Sequence, residues 1–272
     1  MVTKDTEDWK GFFDAKAQRA ASDFEYDRGV SPRRKEIERL ATEELLEFVD
    51  PQPWETVFDA GCGSGSNIFL LHSRVHRVIG MDYCDGAVDR CERRLGETGI
   101  NNVSLLRGDL TSLPLLDNSV DKILCMSVLQ YLTDERVARV FAEFVRILKD
   151  GGTLILHVKN ITSLYLATLA AVKKAKLLLG MKTKLEHFRS YNWYVKQLQG
   201  FGFHLVQYNS FNLFTIESMP ADLVQLLEKL ELKYRNSAPL QLSFVRRRGS
   251  ELKLKARLTK TTCTTGDIAK RV

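Results

Sequence analysis

The sequence predicts an α/β protein with a Rossmann-like, doubly wound sheet of seven mostly parallel strands and an antiparallel last strand. Short apolar runs alternate with amphipathic stretches of about ten to fifteen residues, which is typical of parallel strands joined by helices. The first run ends in a glycine-rich turn, and later runs end in acidic or polar residues. Because ligands of such sheets bind beyond the carboxyl ends of the strands, we expect a binding site at that edge.

Seven apolar runs are predicted as strands. The first five form the parallel core, and the helical patterns between them cover its two faces. Helices precede the first strand, and a cap helix is inserted after the fifth. The first five runs begin at Val57, Arg77, Val103, Lys122 and Thr153, and the last two strands are Phe203–Tyr208 and Gln241–Val245.

The glycine-rich turn after the first strand is typical of a site for a nucleoside-like cofactor. It begins at Asp59, and Gly61, Gly63 and Gly65 carry no Cβ that would keep the backbone amides away from a ligand. A nicotinamide dinucleotide is a minor alternative, because Ser66 stands where its fingerprint needs a third glycine.

The second strand ends on Asp82, about 20 positions after the turn, where a carboxylate can accept two ribose hydroxyl groups. Four motifs then occur in order between Trp54 and Val158: DAGCGSG, GMD, GDLTSLPLLDNSVDKI and RILKDGGTLIL. In this order they resemble the class I S-adenosylmethionine-dependent methyltransferases, especially the group similar to the ubiquinone and menaquinone biosynthesis enzymes. The resemblance implies an enzyme whose cofactor is S-adenosyl-L-methionine.

The resemblance also implies which residues contact the cofactor, and we add Met126 at the end of the fourth strand. Two departures from the family pattern lie outside the glycine turn: Asp150 replaces a usual proline, and Tyr83-Cys84 replaces a usual small or hydroxyl pair. The last two strands are implied to form an antiparallel hairpin. The predicted contacts are Asp59, Gly61, Gly63 and Gly65 around the methionine portion, Asp82 at the ribose, Tyr83 on the adenine, Asp109 and Leu110 at its amino edge, and Met126.

The composition fits one large domain with appendages. With 272 residues, 44% of them apolar, the chain can bury a sizeable core. We divide it into an N-terminal helical lid or extension (1–50), the cofactor-binding core (51–160), a helical cap or substrate region (161–200), the last two strands with a helix (201–250) and a basic tail (251–272).

An apolar stripe at helical spacing runs from Trp9 to Phe24 and must pack against another surface. Three interpretations remain open: a lid over the cofactor cleft, a helix docked on the core, or an element exchanged in a homodimer. Tyr26 and Arg28 lie in the loop that follows and are candidate substrate-binding residues that close over the cleft.

The residue pattern of segment 159–191 predicts an apolar helix with a basic side. This pattern is typical of a cap over an apolar substrate, of a helix lying on a membrane surface, or of an ordinary packed helix. His187 and Arg189 are candidates for binding an anionic group of the substrate. Gln130 and Tyr131, just past the fourth strand, are candidates for lining its pocket.

His157 is the candidate catalytic residue, because it lies at the carboxyl end of the fifth strand, where a neutral imidazole could remove a hydroxyl proton. The alternative is that it points into a helix layer and makes one structural hydrogen bond. His72, His76 and His204 are assigned structural roles. The 5 cysteines form no Cys-x-x-Cys pair, so we expect core residues rather than a metal or redox site.

Charge is unevenly distributed along the chain. Residues 1–158 carry 20 lysines and arginines against 27 acidic residues, whereas residues 159–272 carry 20 against 7, a net charge of +13. The basic part therefore faces nucleic acid, an anionic membrane surface or an anionic small molecule, or it is a solvated face without a partner. We expect a cytoplasmic protein, because Met1–Asp5 lack a signal pattern and the apolar run 161–172 is too short to span a bilayer.

The function predicted first is methyl transfer to a small-molecule or lipid-like acceptor by in-line displacement. At the end of the fourth strand, Cys125-Met126-Ser127-Val128 occupies the place where adenine methyltransferases have Asn-Pro-Pro-Tyr. No Pro-Cys element of cytosine methyltransferases occurs near this site. An RNA or protein acceptor reached through the basic half is the second hypothesis. The third is a partner protein that binds the cofactor without catalysis.

Overall fold

The computed structural model describes residues 4–20, 44–181, 186–211 and 251–260. Tyr26, Arg28, Gln241–Val245 and Cys263 lie outside the described residues, so the predictions for them stay predictions. The seven strands form one sheet in the order β3-β2-β1-β4-β5-β7-β6. They are β1 (Thr56–Ala60), β2 (Arg77–Asp82), β3 (Val103–Arg107), β4 (Val120–Met126), β5 (Leu148–Lys159), β6 (Phe203–Phe211) and β7 (Glu251–Leu258).

The first five strands are parallel neighbours in the register of a doubly wound sheet. Phe58 lies opposite Ile79 of β2 on one side and Ile123 of β4 on the other. β7 pairs antiparallel with both β5 and β6. The predicted fold class, with its antiparallel last strand, is therefore confirmed.

Helices follow β1, β2, β4 and β5, as the alternating pattern predicts, and the helix after β5 lies where the cap helix was predicted. Between β3 and β4 the prediction of a helix is wrong, because residues 108–119 form turns. Residues 44–49 are also helical and precede β1. Two short 3-10 turns occupy His72–Arg74 and Leu129–Tyr131. The α-helices are α1 (Lys4–Arg19), α2 (Ser66–Leu71), α3 (Asp85–Thr98), α4 (Asp134–Ile147), α5 (Leu164–Leu178) and α6 (Tyr191–Gly200).

Each face of the sheet has its own apolar core, because successive side chains of a strand point to opposite faces. In β5, Leu154 and Leu156 pack with α4 and α6, whereas Ile155 packs with the helical residues 44–49 and α2. α4 begins after Thr133, whose hydroxyl accepts a hydrogen bond from the Arg136 N–H. Burial on both faces holds the carboxyl ends of the strands in place, and the candidate site lies there.

The prediction of a basic tail from residue 251 is wrong for residues 251–258, which form β7. Buried apolar and basic residues alternate there with the two-residue period of a strand, and the lysines obscure this period when composition alone is considered. The buried apolar residues are Leu252, Leu254, Ala256 and Leu258, and the basic residues between them are Lys253, Lys255 and Arg257.

None of the helices within the described residues is both long enough and apolar enough to cross a membrane. Cys62, Cys84, Cys91 and Cys125 are buried with free thiols, as expected for core residues.

Candidate active site

The glycine turn begins where β1 ends and is held against the end of β2. The N–H groups of Gly61 and Cys62 both donate to the Met81 carbonyl, at 2.8 and 3.0 Å. Gly61 has φ +79°, and a Cβ there would collide with the side chain of Val128 in the loop after β4. Only glycine combines this backbone angle with this close approach. The turn is therefore a bare backbone surface, pressed between the ends of β2 and β4.

Asp82 lies at the end of β2, beside the glycine turn. Its carboxylate accepts the Gly63 N–H at 2.8 Å and the Cys84 N–H at 2.9 Å. Burial raises the pKa of the carboxyl, and these two N–H groups oppose that rise. A half-buried carboxylate fixed by two backbone donors still has lone pairs for two hydroxyl groups. These residues fit the ribose of S-adenosylmethionine, as predicted for Asp82 from its position.

Asp59 is fully buried at the base of the turn, and its Oδ1 accepts a hydrogen bond from Asn67 Nδ2 at 3.2 Å. Gly63 and Gly65 have φ of +55° and +90°, so all three glycines of the turn have left-handed backbones. The predicted methionine-side residues therefore lie together around one turn.

Asp109 follows β3 in the GDL motif, and its carboxylate already has protein partners. Its Oδ1 accepts the Thr111 N–H and hydroxyl, both at 2.9 Å, and its Oδ2 accepts Arg136 Nη2 at 2.6 Å. Burial tends to raise the pKa of Asp109, but these hydrogen bonds outweigh it and the pKa is lowered. Leu110 is buried next to it. A contact of Asp109 with the adenine amino group remains a prediction.

α1 reaches across the carboxyl edge of the sheet. On one side, Lys10 forms an ion pair with Asp85, and Asp14 Oδ1 accepts the Gly86 N–H at 3.1 Å. Arg90 Nε donates to the carbonyl of Ala17 at 2.8 Å. These contacts fix the helix beside the end of β2.

The other side of α1 packs beside the end of β4. The rings of Trp9 and Phe13 lie 4.6 and 5.2 Å from that of Tyr131, measured between centroids. Lys10 Nζ lies 5.6 Å from the ring centroid of Tyr83, the predicted adenine contact. Since β1 lies between β2 and β4 in the sheet, α1 spans the gap at whose base the glycine turn lies.

Ser127 is the first residue after β4, and it contacts His157 through its side chain and its backbone. Its Oγ lies 3.0 Å from His157 Nδ1, and its N–H donates to the His157 carbonyl at 2.8 Å. Ser127 has φ +60°, which costs free energy in a residue with a side chain. Gln130 is buried, and its Nε2 donates to the Ser127 carbonyl at 2.8 Å. Met126 precedes this loop and is half-buried.

His157 faces the core that contains the helical residues 44–49. Its register partner on β7 is Lys253. Lys253 Nζ lies 3.5 Å from Glu44 Oε1, and both side chains are buried. His157 therefore lies between the hydroxyl group of Ser127, directly after β4, and β7, which carries the ammonium group of Lys253. The structure brings His157 to the carboxyl edge, as predicted. Its side chain faces a helix layer and bonds to Ser127, which agrees with the alternative of a structural role, so its catalytic role stays a prediction.

Arg189 is buried, and its guanidinium holds the loop after β4. Its Nε donates to Asp134 at 2.7 Å, and its Nη1 donates to the carbonyls of Leu129 and His187 at 2.8 and 3.1 Å. Nη2 donates to the Leu132 carbonyl. This arrangement uses four of the five N–H groups of the side chain and favours a positioning role over binding of an anionic substrate.

His187 and Gln130 are joined through their backbones, since the His187 N–H donates to the Gln130 carbonyl at 2.7 Å. Tyr131 is half-buried under α1, and burial raises the pKa of its phenol. The predicted substrate residues 130, 131, 187 and 189 thus lie together beside the end of β4.

Three residues of this site were not singled out from the sequence: Trp9 as a partner of Tyr131, Ser127 as a partner of His157, and Arg136 as a partner of Asp109. Each contact joins segments far apart in the chain, and no local pattern indicates it. For Ser127, its place directly after a predicted strand was the available signal.

Residues 57–152 match the family model described as a methyltransferase domain. A candidate methyltransferase of Encephalitozoon cuniculi is 38% identical over 103 residues, covering 38% of this chain and 44% of the relative. The chain thus spans less than half the length of this curated relative.

Two solved structures share the fold. The phosphoethanolamine N-methyltransferase 1 of Haemonchus contortus, with phosphoethanolamine and S-adenosylhomocysteine, has a TM-score of 0.65 at 15% identity, over 99% of this chain and 53% of that one. The geranyl diphosphate C-methyltransferase of Streptomyces coelicolor has a TM-score of 0.63 at 17% identity, over 95% and 100%. Similarity to the ubiquinone group stays a prediction. The matched domain, the sheet order and the glycine turn with Asp82 make residues 57–152 similar to the methyltransferase domain of S-adenosylmethionine-dependent methyltransferases.

Proposed function

We propose that this protein transfers the methyl group of S-adenosylmethionine to a small, apolar or lipid-like acceptor. The observation that carries the proposal is the position of α1. It spans the gap above the glycine turn, with Trp9 and Phe13 packed on Tyr131. A site roofed by aromatic side chains favours an acceptor that enters a narrow apolar space over one that stays on a large polymer. Within the predicted lid region 1–50, α1 would then act as the lid, and within the predicted cap region 161–200, α5 would form the cap on the acceptor side. Residues 44–49 and α6 pack in the two cores of the sheet instead.

The residues around the turn would bind and orient the cofactor. Asp82 would accept the ribose hydroxyls, while the glycine turn would let the backbone lie against the methionine portion. When bound, the cofactor supplies an electrophilic sulfonium methyl group. The protein then has to align the acceptor with the methyl-sulfur bond and exclude water, and alignment can supply several orders of magnitude in rate.

His157 would remove the proton of an acceptor hydroxyl group. The Ser127–His157 contact allows two arrangements, depending on the tautomer. If the Nδ1–H donates to Ser127 Oγ, Nε2 is the basic nitrogen and can accept the proton. If Ser127 instead donates to Nδ1, Nε2 carries the hydrogen and cannot act as the base. Ser127 is therefore a positioning residue, whose role is to favour the first tautomer.

The solved neighbours support a small acceptor. One of them is in complex with phosphoethanolamine, and another is in complex with geranyl diphosphate. Both molecules carry a phosphate-type group, and the second is largely apolar. For this chain, an acceptor with an apolar body would suit the aromatic rings of Trp9, Phe13 and Tyr131.

The decisive experiment identifies the acceptor. The full chain would be incubated with small-molecule and lipid extracts and methyl-labelled cofactor, and the labelled product would be identified by mass spectrometry. We expect one class of labelled small molecule or lipid, absent with Asp82→Ala. With that acceptor, His157→Ala should lower kcat about 100-fold or more without a matching loss of S-adenosylhomocysteine affinity. Unchanged turnover would remove His157 from the mechanism, and label only in RNA or protein would overturn the acceptor class.

An RNA or protein acceptor is the second candidate, because residues 159–272 carry the net charge of +13. Binding to single-stranded RNA that weakens steeply with salt would favour it. A non-catalytic role is the third candidate, and calorimetry with S-adenosylmethionine and S-adenosylhomocysteine tests it. A failure to bind either compound would leave only that structural role.

A further inference from the structure

The end of α5 and the turn after it expose apolar side chains to solvent. We call residues 172–181 the α5 tip. The exposed fractions are 47% for Val172, 81% for Leu178, 78% for Leu179 and 52% for Met181. Exposed apolar residues scattered singly are common, but a contiguous group at one projecting point is typical of an interaction site.

Exposure at the tip covers a wide face of the helix. Val172, Lys174, Ala175, Lys176 and Leu178 are all exposed, although they point in different directions around the helix axis. The last turns of α5 therefore present a broad exposed face, and Lys173 on the opposite side is half-buried.

The turn at the end of α5 is well defined, so the apolar group is presented by ordered backbone. The Met181 N–H donates to the Lys176 carbonyl at 3.0 Å, and Gly180 has a left-handed backbone with φ +74°. This is the hydrogen bond of a Schellman cap, in which the residue at the place of Met181 usually packs on an apolar residue of the last turn. Here its partner position is Lys176, and Met181 stays exposed.

The tip is also strongly basic. Its ten residues include Lys173, Lys174 and Lys176 and no acidic residue. Lys173 is paired with Glu186 at 2.6 Å, whereas Lys174 and Lys176 are exposed and form no ion pair within the described residues. Lysines next to exposed leucines match the charge of an anionic lipid surface and the apolar layer beneath it.

The base of the tip, at Lys173, is tied to the edge of the sheet that carries the candidate active site. α5 follows the carboxyl end of β5, the strand that carries His157. The Lys173–Glu186 ion pair ties α5 to the segment that contains His187, and the His187 N–H bonds to Gln130. A surface that receives the tip would therefore face the edge where an acceptor enters.

We propose that the α5 tip docks on an anionic lipid bilayer, with Leu178, Leu179 and Met181 entering the headgroup region and Lys174 and Lys176 contacting lipid phosphates or carboxylates. The tip lies on the membrane and does not span it. This inference rests on the proposed function and deepens it. Docking would allow an apolar acceptor to reach the cleft from the bilayer.

The test is vesicle flotation of the full chain with phosphatidylcholine alone and with phosphatidylcholine containing phosphatidylserine. We expect binding to the anionic vesicles only, and weaker binding as salt is raised. The double variant Leu178→Ser/Leu179→Ser removes apolar surface without changing charge and should lower the partition coefficient about tenfold or more. Lys174→Ala and Lys176→Ala should each lower it about fivefold.

Leu116 provides the matched control, because it is 80% exposed and lies in the loop between β3 and β4. Leu116→Ser loses the same side chain at the same exposure, and we expect native binding. Equal loss in Leu116→Ser and the double serine variant would overturn the proposal, as would full binding by the double variant.

Affinity for S-adenosylhomocysteine, measured on the same variants, separates this inference from the proposed function. We expect native affinity in all of them, since the tip touches none of the cofactor residues. Failure of the proposed function would appear as a lack of cofactor binding in the native chain. If the native chain forms a dimer that the double variant converts to a monomer and no vesicles are bound, the tip is a protein interface and the lipid proposal is overturned.

Discussion

The two sides of the active site are built in different ways. On the cofactor side, the glycine turn and Asp82 come from two short motifs at the ends of adjacent strands. Backbone N–H groups of the turn donate to the Met81 carbonyl and to the Asp82 carboxylate. On the acceptor side, Tyr131 meets Trp9 and Ser127 meets His157, so each contact joins segments distant in sequence. The cofactor side therefore tolerates little change, whereas the acceptor side can vary while the cofactor site persists. Five perturbations test this difference, from the largest expected effect to the smallest.

Gly61→Ala should damage the cofactor side most. A left-handed alanine costs about 1–2 kcal/mol, and contact with Val128 adds about 1–3 kcal/mol from overpacking. We expect a lower free energy of unfolding and loss of S-adenosylhomocysteine binding, measured by urea denaturation and calorimetry. Gly99→Ala is the matched control, because Gly99 has φ +69° but no atom within 4 Å of its added Cβ. Equal effects of the two variants would show that the contact with Val128 is unimportant.

Asp82→Ala should lower the affinity for S-adenosylhomocysteine about 100-fold. Two hydrogen bonds from ribose hydroxyls to a carboxylate are worth about 3 kcal/mol together. Calorimetry measures the change, and thermal unfolding checks that the fold persists. Asp89→Ala removes a carboxylate that is paired with Arg107 on the outer surface of α3 and should bind as the native chain does. A loss below threefold for Asp82→Ala would contradict the ribose assignment.

Ser127→Ala should affect the acceptor side alone. Without the hydroxyl group, the His157 tautomer is no longer favoured, and we expect kcat to fall about tenfold while cofactor affinity stays within twofold. Ser127→Gly also removes the hydroxyl but relieves the strain of the left-handed backbone, so it should be more stable than the alanine variant and equally slow. Native turnover in both variants would assign Ser127 a purely structural role.

Trp9→Ala should loosen α1. Its aromatic contact with Tyr131 is worth about 0.5–1.5 kcal/mol, which corresponds to about a three- to tenfold faster local opening. Hydrogen exchange of residues 9–17 measures the opening, and dissociation of S-adenosylhomocysteine should quicken in parallel. Gln18→Ala changes an exposed residue of the same helix and is the control. Faster exchange without faster dissociation would argue against the lid.

Acid should release α1 only slightly. The hydrogen bond from Lys10 lowers the pKa of Asp85. The ion pair therefore contributes its full stability above the ordinary aspartate pKa and loses it as pH falls through the lowered value. Both partners reach solvent, so we expect less than about a threefold change in the exchange protection factors of α1 between pH 7 and pH 3, and a similarly small change with salt. A larger change at pH 3 that is absent in Lys10→Ala would show that this pair dominates the docking.

The cofactor side could be predicted from the sequence because its residues lie at the ends of predicted strands. Asp82 is placed by the apolar run before it, and the glycines by the turn they form. Residues 251–258 were assigned to a tail because Lys253, Lys255 and Arg257 are typical of a solvated segment, and only the pairing with β5 explains why apolar residues alternate with them. Arg189 was assigned to an anion because an arginine in a cap region suggests one, whereas its partners are carbonyls brought together by the fold. Composition does not reveal such partners.

The anchors of α1 have one kinetic consequence. The helix is fixed at both the β2 end, through Lys10, Asp14 and Arg90, and the β4 end, through Trp9 and Phe13. If S-adenosylhomocysteine leaves by the route that α1 crosses, the contacts of α1 at both ends must break once per catalytic cycle. The slowest stage would then be this undocking, and solvent viscosity would limit the steady-state rate more than the nucleophilicity of the acceptor.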